Sequence, residues 1–293
     1  MNKNITKPLD FLLFTNLFVA SAAVAQGLVF YHLFSATPSY VVLGFLFCAT
    51  ILIYNISILI QRPKNYQTSK YKRIRWIFGH YKLNIVITIL SAIALIPLFF
   101  QLLWHAKILV AFLALLSLGY VLPIFSFKGE KVGLRKIAGL KLFLIAFVWA
   151  ISVTLLPYFE LDKQQFSAIS VSDIFILSVQ RFLFFAAITI PFDIRDMFQD
   201  KAFSLKTIPI ILGEKKAYLL CQIMLICCLI LLFNFQKAGF NANFFVSAIT
   251  IILAGWLIFK SKWEKNEYYY FFYLDGTLLL QYAMLLVSNF IFK

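Results

Sequence analysis

Residues 11–61 read FLLFTNLFVASAAVAQGLVFYHLFSATPSYVVLGFLFCATILIYNISILIQ and contain no Asp, Glu, Lys or Arg. A helix of about 20 apolar residues crosses the hydrocarbon core of a bilayer. The stretch is therefore too long for one crossing. It divides at Ser35–Ser39, where a proline among small residues signals a turn. We predict two membrane-spanning helices here, near 10–34 and 38–61.

The rest of the chain continues this pattern. Six further stretches lack all four charged residue types, and a seventh is interrupted only by Asp173 and Arg181. With 62% hydrophobic and 13% charged residues, the chain has too little charge to cover the surface of a soluble protein. We predict an all-α fold, a single domain over residues 1–293 with nine transmembrane helices around a central cavity. The seven remaining spans are expected near 82–103, 106–126, 140–158, 171–194, 216–235, 243–260 and 271–291.

The basic residues predict the orientation of the spans. The chain has 27 Lys and Arg against 12 Asp and Glu, for a net charge of +15. If nine spans alternate, 22 of the 27 cations fall in the N-terminus and in every second connection. The positive-inside rule then places the N-terminus in the cytoplasm and the C-terminus outside a bacterial-type inner (plasma) membrane. Cations distributed in this way indicate membrane lipids, and no nucleic acid, as the partner.

The N-terminus leaves one alternative open. Lys3 and Lys7, the apolar run that follows and Ala23-Val-Ala-Gln26 also resemble a secretory signal peptide. The apolar run continues to Tyr31, which favours an uncleaved span. The four cysteines form no Cys-x-x-Cys motif and the three histidines are far apart, so neither disulfides nor a zinc site is expected.

One polar segment stands out, at the cytoplasmic end of span 6. Residues 189–213 read TIPFDIRDMFQDKAFSLKTIPIILG, with acids at Asp193, Asp196 and Asp200. This i, i+3, i+7 spacing places three carboxylates within an arc of about 60° on one helical face. Crowded carboxylates repel one another unless a cation lies among them. Mg²⁺ is such a cation, because it prefers oxygen ligands and usually binds one or two carboxylates together with substrate phosphates.

Basic residues are interleaved with these acids, at Arg195, Lys201 and Lys206. Acid and base together are the composition of a Mg²⁺–diphosphate site. We predict that Asp193, Asp196 and Asp200 are its metal ligands and catalytic residues. The alternative is a solvated helix end on which Asp196 pairs with Lys201. Acids at the rim of a membrane helix are costly, and this location favours a site.

The same segment resembles a known family. Asp193-Ile-Arg-Asp-x-x-x-Asp-Lys201, followed by Leu205-Lys-Thr-Ile-Pro209 and Leu212-Gly213, resembles the second aspartate-rich motif of the UbiA-type membrane prenyltransferases. The nine spans and the position of the motif after span 6 are similar too. The stretch Tyr120–Lys128, YVLPIFSFK, is more weakly similar to the Tyr…Pro…Lys segment after span 4 of that family.

The resemblance implies a transferase that binds an isoprenyl diphosphate through Mg²⁺, ionises its allylic C–O bond and joins the allylic carbon to a hydrophobic acceptor. The acceptor is usually an aromatic ring, as in quinone pathways. The polar residues near the motifs then become candidates for substrate binding. These candidates are Asn55, Arg62, Tyr120, Lys128, Arg195, Lys201 and Lys206.

The sequence departs from the family at its first motif, roughly Asn-Asp-x-x-Asp-x-x-x-Asp at the cytoplasmic end of span 2. Asn55 is present, but Ile56, Leu59 and Pro63 stand where acids are expected. Residues 11–129 contain no Asp or Glu at all. Half of the usual two-metal clamp is therefore missing.

Several hypotheses follow from this departure. One Mg²⁺ held by span 6 could act with cations replacing the second metal, and Arg62, Lys64 or the cluster Lys70–Arg75 could supply them. The protein could instead handle a different phosphorylated lipid, or it could be a catalytically silent relative that binds lipid phosphate or serves as a complex subunit. A secondary transporter is a further alternative. Acids at the membrane edge, away from its midplane, disfavour a transporter.

Two charges lie inside predicted spans. Arg181 is in the middle of span 6, where a charge is expensive, so we expect it to face the bundle interior and to find a structural polar partner. Asp275, near the start of span 9, is expected either to face the cavity or to cap its helix.

Overall fold

The computed structural model describes residues 3–60, 62–63, 65–122, 125–127, 130–132, 134, 137, 139–202, 205–235, 240–264 and 266–291. Lys64 and Lys128, both proposed from sequence as site residues, lie outside these ranges. The described part is almost entirely helical. Its α-helices are α1 (Lys3–Phe14), α2 (Leu17–Leu33), α3 (Tyr40–Leu59), α4 (Lys72–Gly79), α5 (Tyr81–Gln101), α6 (Trp104–Val121), α7 (Leu140–Phe159), α8 (Lys163–Ala168), α9 (Val171–Ala202), α10 (Ile208–Leu212), α11 (Glu214–Asn234), α12 (Ala242–Lys260) and α13 (Gly276–Ile291).

The predicted spans appear as long apolar helices. Within the described residues, eight helices are long and apolar enough to cross a membrane, and a ninth span results if the bent pair α1–α2 is counted as one. The predicted turn at Ser35–Ser39 is confirmed, because α2 ends at Leu33 and the Ser39 side chain caps α3 by accepting a hydrogen bond from the Val42 N–H. The protein is thus a polytopic integral membrane protein.

The first span departs from the straight helix that the sequence predicts. Its two halves meet at an angle of 62°. At the break, Asn16 adopts φ 66° and ψ 13°, which is the left-handed region. Among non-glycine residues, asparagine tolerates this conformation best. A continuous apolar run gives no sign of such a break, so the sequence did not predict it.

The spans form a closed ring. Helix α9 packs between α7 and α11, and α2 packs against α3, α7 and α13. Helices α11, α12 and α13 follow one another around the ring, and α3 packs against α5. The contact between α2 and α3 is close, since a Cβ atom on Gly27 would lie 2.9 Å from Leu46 Cδ1. Small residues permit such close approach of helices in a bilayer.

The outer face of the ring is apolar. Large hydrophobic side chains are exposed along α5, α6, α11 and α12, as in Phe100, Leu115, Phe233 and Trp256. Asp10, Asn55, Arg181 and other polar residues are instead buried inside. This is the distribution expected of a bundle whose surrounding solvent is lipid.

Short elements in the connections were not predicted from sequence. Helix α4 follows a 3₁₀ turn at Tyr66–Thr68 in the connection between spans 2 and 3. After α6, strands β1 (Phe125–Phe127) and β2 (Glu130–Val132) form an antiparallel hairpin in which Phe125 pairs with Val132. Helix α9 continues beyond the predicted end of span 6 to Ala202, so all three acids lie on one helix. A π-helix, Tyr269–Leu274, precedes α13.

Candidate functional site

A cavity of about 540 Å³ lies inside the ring. Its deeper wall is apolar and includes Phe45, Leu95, Val110 and Leu156. Polar side chains line the opposite end, where α3, α6 and α9 finish and where α2, α7 and α13 begin. Among the described residues, the polar members of this lining are Asn16, Thr50, Tyr54, Ser57, Arg73, Ser117, Tyr120, Lys141, Ser152, Thr189, Asp193, Arg195, Asp196 and Asp275.

The acids of α9 lie at the polar end and are held by a lysine of α7. Asp193 is only 2% exposed, and its Oδ1 atom lies 2.7 Å from Lys141 Nζ. The same ammonium group lies 3.3 Å from Asp200 Oδ2. One cation therefore contacts residues i and i+7, which confirms that these two acids share a helical face. Asp193 lines the cavity, whereas Asp200 lies two turns further along the helix and outside the lining.

Burial changes the pKa of Asp200, the last of the three acids along α9. Asp200 is buried and lies beyond the apolar part of α9. Burial raises the pKa of its carboxyl above the ordinary value, and the Lys141 ammonium opposes part of the rise. Asp200 is thus more basic than a solvated aspartate while it remains bonded to Lys141.

Asp196 has a different partner. Arg195 donates to it through Nε at 2.8 Å and through Nη2 at 2.9 Å. The Arg195 guanidinium also lies 4.9 Å from the ring centre of Tyr270 and 5.0 Å from that of Phe271. Lys201, the alternative partner considered from sequence, is exposed. Arg195 Nη1 is buried with no hydrogen-bond partner in the described part of the chain.

The residues fit one Mg²⁺ ion at this end of the cavity. Asp193 and Asp196 are both on the lining, and Asp193 Oδ2 is a buried acceptor without a hydrogen-bond partner among the described residues. Two carboxylates are the usual protein share of a Mg²⁺ site, with phosphate and water oxygens completing it. No group of three or more His, Cys, Asp and Glu in the described residues is arranged as a metal cage. Metal ligation by Asp193, Asp196 and Asp200 stays a prediction, and Asp200 lies outside the lining.

Arg73, on α4, lines the cavity and contacts one residue near the start of the chain and one near its end. Its Nη2 donates to Asn16 Oδ1 at 2.6 Å, and its guanidinium lies 4.3 Å from the ring centre of Phe271. Burial, and secondarily the positive charge of Arg195, lowers the pKa of Arg73 to about 10. The side chain is therefore charged at neutral pH. Its Nε has no hydrogen-bond partner among the residues that the structure describes.

Asn55 lies behind this wall. It is 2% exposed and does not line the cavity. Its Oδ1 accepts a hydrogen bond from Asn16 Nδ2 at 2.6 Å, and Asn16 is the residue that holds Arg73. Asn55 is therefore connected to the cavity lining by its hydrogen bond to Asn16. Direct contact of Asn55 with a substrate stays a prediction.

Helix α4 is anchored to both ends of the chain. The carboxylate of Glu267 accepts hydrogen bonds from the backbone N–H groups of Lys72 at 2.7 Å and Arg73 at 3.1 Å, which caps the helix. Lys72 Nζ lies 2.7 Å from Asp10 Oδ2, and the Tyr268 hydroxyl donates to Asp10. Lys72 and Glu267 are 195 positions apart and Asp10 and Tyr268 are 258 apart, which is why sequence spacing does not predict these contacts.

The other predicted site residues fall into two groups. Tyr120 lines the cavity together with Arg195. Arg62, Lys201 and Lys206 are exposed and lie outside the lining. The Arg62 guanidinium lies 5.0 Å from the ring centre of Tyr81 instead. Substrate binding by these three residues remains a prediction.

Two charges inside the spans follow the sequence expectations. Arg181 is buried and donates to Gln26 Oε1 at 2.6 Å and to Gln281 Oε1 at 2.7 Å. It is absent from the lining, so its polar partners are structural. Asp275 lines the cavity, where Arg73 and Arg195 attract its carboxylate.

Fold and site together define a polytopic helical membrane protein with an internal cavity that is charged at one end and apolar at the other. No protein-family model matches the chain, and no curated protein matches its sequence.

Solved structures do share the fold. A UbiA homologue from Archaeoglobus fulgidus bound to GPP and Mg²⁺ is 13% identical, covers 95% of this chain and 99% of its own, and has a TM-score of 0.63. The apo UbiA homologue from Aeropyrum pernix K1 is 13% identical over 96% of this chain and 97% of its own, with a TM-score of 0.59. A digeranylgeranylglyceryl phosphate synthase structure is 17% identical over 98% of both chains, with a TM-score of 0.56. The fold of this chain is therefore UbiA-like.

Proposed function

We propose that this protein is a Mg²⁺-dependent intramembrane prenyltransferase, which transfers an isoprenyl group from a prenyl diphosphate to a hydrophobic, aromatic acceptor. The observation that carries the proposal is the two-part cavity. Asp193, Asp196, Lys141 and two arginines line one end, and an apolar lumen continues into the bundle. A prenyl diphosphate has the same two parts, a charged head and an apolar tail. The UbiA-like fold, which a homologue bound to GPP and Mg²⁺ shares, also supports it.

The charges of the polar end are suited to an incoming anion. Lys141 and Arg195 neutralise Asp193 and Asp196 in the ligand-free protein. A Mg²⁺ ion held by Asp193 and Asp196 would supply the positive charge that a diphosphate needs. Lys141 and Arg195 would then be released from the carboxylates and could donate to phosphate oxygens, as charge-assisted hydrogen bonds of about twice the ordinary strength.

Ionisation breaks the allylic C–O bond, and both electrons leave with the diphosphate. Arginine and lysine donors placed at the leaving oxygens stabilise this growing charge. The allylic cation that remains would lie in a lumen lined by Tyr54 and Trp149. The ring centres of these two residues are 6.4 Å apart, and Trp149 Nε1 donates a hydrogen bond to the Tyr54 hydroxyl at 3.2 Å. Aromatic faces attract a cation, and an apolar lumen excludes the water that would capture it. The acceptor ring provides the electron pair of the new bond and then loses a proton.

The distribution of basic residues supports a cytoplasmic location for the polar end. Arg73, Lys141 and Arg195 belong to the connections that the positive-inside rule assigns to the cytoplasm. The N-terminus would lie on the same side and the C-terminus outside. We propose that the protein takes its diphosphate substrate from the cytoplasmic face of an inner membrane.

The proposal is tested with purified protein in lipid nanodiscs. The protein is incubated with allylic diphosphates of several lengths and Mg²⁺, with and without aromatic acceptors, and pyrophosphate release is followed. We expect Mg²⁺-dependent release that Asp196→Asn abolishes. Asp162→Asn is the matched control, because Asp162 is exposed and caps α8, a role that asparagine fills equally well. Release that is absent in the native protein, or unchanged in Asp196→Asn, would overturn the proposal.

A second function is favoured by the missing first motif. The carboxylates of α9 are already paired with Lys141 and Arg195, and α3 contributes no acid. A catalytically silent protein that binds a lipid phosphate, alone or as a complex subunit, would have such a cavity. In the same nanodisc experiment it would bind the diphosphate without releasing pyrophosphate.

A further inference from the structure

We propose that Arg73 is a diphosphate-binding residue and that Asn16, supported by Asn55, is the positioning residue that holds it in the cavity. The proposal rests on the proposed function only in taking a diphosphate as the ligand. In this proposal, Arg73 supplies a positive charge to the diphosphate. Acids at the end of α3 would otherwise supply that charge by binding a second metal ion.

The guanidinium of Arg73 is fixed in position but still has a hydrogen-bond donor without a partner in the described part of the chain. Its described contacts are the hydrogen bond to Asn16 Oδ1 and the ring of Phe271. Neither of these two partners carries a negative charge. The carboxylate of Asp275, on the same cavity lining, attracts the guanidinium but makes no described hydrogen bond or ion pair with it. Arg73 Nε is buried and has no partner within the described residues, and the same is true of Arg195 Nη1. A buried donor without an acceptor is unfavourable, and a buried cation is more so.

Arg73 and Arg195 repel each other across the same cavity. The charge of Arg195 acts on Arg73, and both side chains lie on the cavity wall and against Phe271. Two guanidinium groups with spare donors and a common space are complementary to one anion that has several oxygens. The Asp275 carboxylate attracts both groups and offsets part of this repulsion, but Arg73 Nε and Arg195 Nη1 still have no acceptor among the described residues. A diphosphate between the two arginines would supply acceptors for these donors and the remaining negative charge.

Asn16 and Asn55 together fix the orientation of the Arg73 side chain. Asn16 Nδ2 donates to Asn55 Oδ1 at 2.6 Å, so Asn16 must present its Oδ1 to Arg73. Asn16 is 1% exposed and holds a left-handed backbone conformation at the break of span 1. Such conformations persist where the surroundings over-determine them, and they are common at functional sites. At the break between α1 and α2, the side-chain amide of Asn16 therefore lies against the Arg73 guanidinium.

An amide is the group that this position requires. An aspartate at position 16 would also accept from Arg73, but it would neutralise the charge that the diphosphate needs. It would also lose the N–H donor to Asn55. The backbone end of Arg73 is fixed independently, since its N–H donates to Glu267 Oε2 at 3.1 Å. Both ends of the side chain are thus held before a ligand arrives.

The test measures binding of inorganic pyrophosphate with Mg²⁺ by isothermal titration calorimetry of the full chain in nanodiscs. We expect Arg73→Gln to weaken binding about 10- to 100-fold, the usual effect of losing a charge-assisted hydrogen bond to an anion. Arg73→Lys should recover part of the loss. Arg75→Gln is the matched control, because Arg75 is on the same helix but exposed, and we expect native affinity.

The positioning role is tested at Asn16. Asn16→Gly keeps a residue that adopts the left-handed conformation without strain and removes only the amide. We expect Asn16→Gly to weaken pyrophosphate binding several-fold, with the ligand-free melting temperature close to native. Asn16→Asp should weaken it at least as much as Arg73→Gln. A purely structural role would instead lower the melting temperature and leave the affinity unchanged.

The outcomes separate this inference from the proposed function. If the native protein releases pyrophosphate from an allylic substrate but Arg73→Gln binds pyrophosphate as Arg75→Gln does, the assignment of Arg73 is overturned and the transferase proposal stands. If Arg73→Gln loses binding while the native protein shows no turnover, the assignment stands and the transferase proposal fails. A native protein that does not bind pyrophosphate overturns the assignment of Arg73, and the release assay alone then decides the transferase proposal.

Discussion

Lys141 Nζ lies 2.7 Å from Asp193 Oδ1, so the first turn of α7 is bonded to the acid-bearing end of α9. The lysine side chain is 19% exposed and the aspartate side chain 3%. A carboxylate this deep beside an apolar lumen needs a cation to remain charged, and Lys141 provides one. This carboxylate is one of the two that we propose as ligands of Mg²⁺.

The first prediction concerns this ion pair. Lys141→Met leaves Asp193 and Asp200 on one buried face without their shared cation. We expect the free energy of unfolding to fall by up to about 3 kcal/mol, because breaking one side of a buried pair leaves an uncompensated charge. The melting temperature in nanodiscs measures this. Lys215→Met, at an exposed position on α11, is the control, and equal melting temperatures for the two variants would contradict the prediction.

A double variant separates stability from function at this pair. Lys141→Met combined with Asp193→Asn removes both charges, so we expect much of the lost stability to return. Pyrophosphate release should not return, because the carboxylate proposed to hold Mg²⁺ is gone. Recovery of both properties would remove Asp193 from the proposed site.

The second prediction concerns pH. The pKa of Asp200 is raised in the folded protein because the carboxyl is buried. A folded state that binds a proton more tightly than the unfolded chain loses stability as pH rises and the carboxyl ionises. Asp200→Asn removes this loss, so the melting temperature of the variant minus that of the native protein should increase as the pH rises above about 4, the ordinary pKa of an aspartate. With Asp162→Asn the difference should stay flat, and a difference that decreases for Asp200→Asn would show that the sign is wrong.

The third prediction concerns Arg181, which is 4% exposed and lies outside the cavity lining. Gln26 and Gln281 accept its hydrogen bonds from α2 and α13. We expect Arg181→Met to leave these two acceptors with fewer donors and to lower stability by about 1–3 kcal/mol. Pyrophosphate affinity should stay within about twofold of native, since a twofold change corresponds to less than 1 kcal/mol. Weakened binding at an unchanged melting temperature would instead give Arg181 a role in the site.

The sequence predicted the spans and the acidic face but little of the opposite wall. The predicted apolar stretches become helices, the first of them in two halves, because only a helix satisfies its own backbone in lipid. The i, i+7 spacing correctly places Asp193 and Asp200 on one face. The break at Asn16 interrupts an apolar run that carries no proline or glycine at that point. Its contacts with Arg73 and Asn55 join three separate segments, and spacing along the chain does not encode such contacts.

The cap of α4 is unpredictable from sequence for the same reason. Arg73 appeared in the sequence only as one cation of a basic cluster, equal to its neighbours. The structure distinguishes it from Arg75, because Arg73 lines the cavity and Arg75 is exposed, and Glu267 caps the helix at the Arg73 N–H. Glu267 lies in the connection before span 9, and the sequence gives no sign that it contacts a helix near span 2.

The fourth prediction concerns the number of metal ions. Asp193 and Asp196 are the carboxylates of α9 on the lining, and Arg73 and Asn16 are on the same lining. Two carboxylates and a diphosphate suit a single Mg²⁺, because this ion keeps phosphate and water oxygens as most of its ligands. With Mn²⁺ in place of Mg²⁺ and pyrophosphate present, we expect electron paramagnetic resonance to show the hyperfine spectrum of an isolated bound ion. Asp196→Asn should reduce the bound signal, while Asp162→Asn should leave it intact. The spectrum of two coupled ions would show that a second metal binds here without the first-motif acids, and that Arg73 does not replace it.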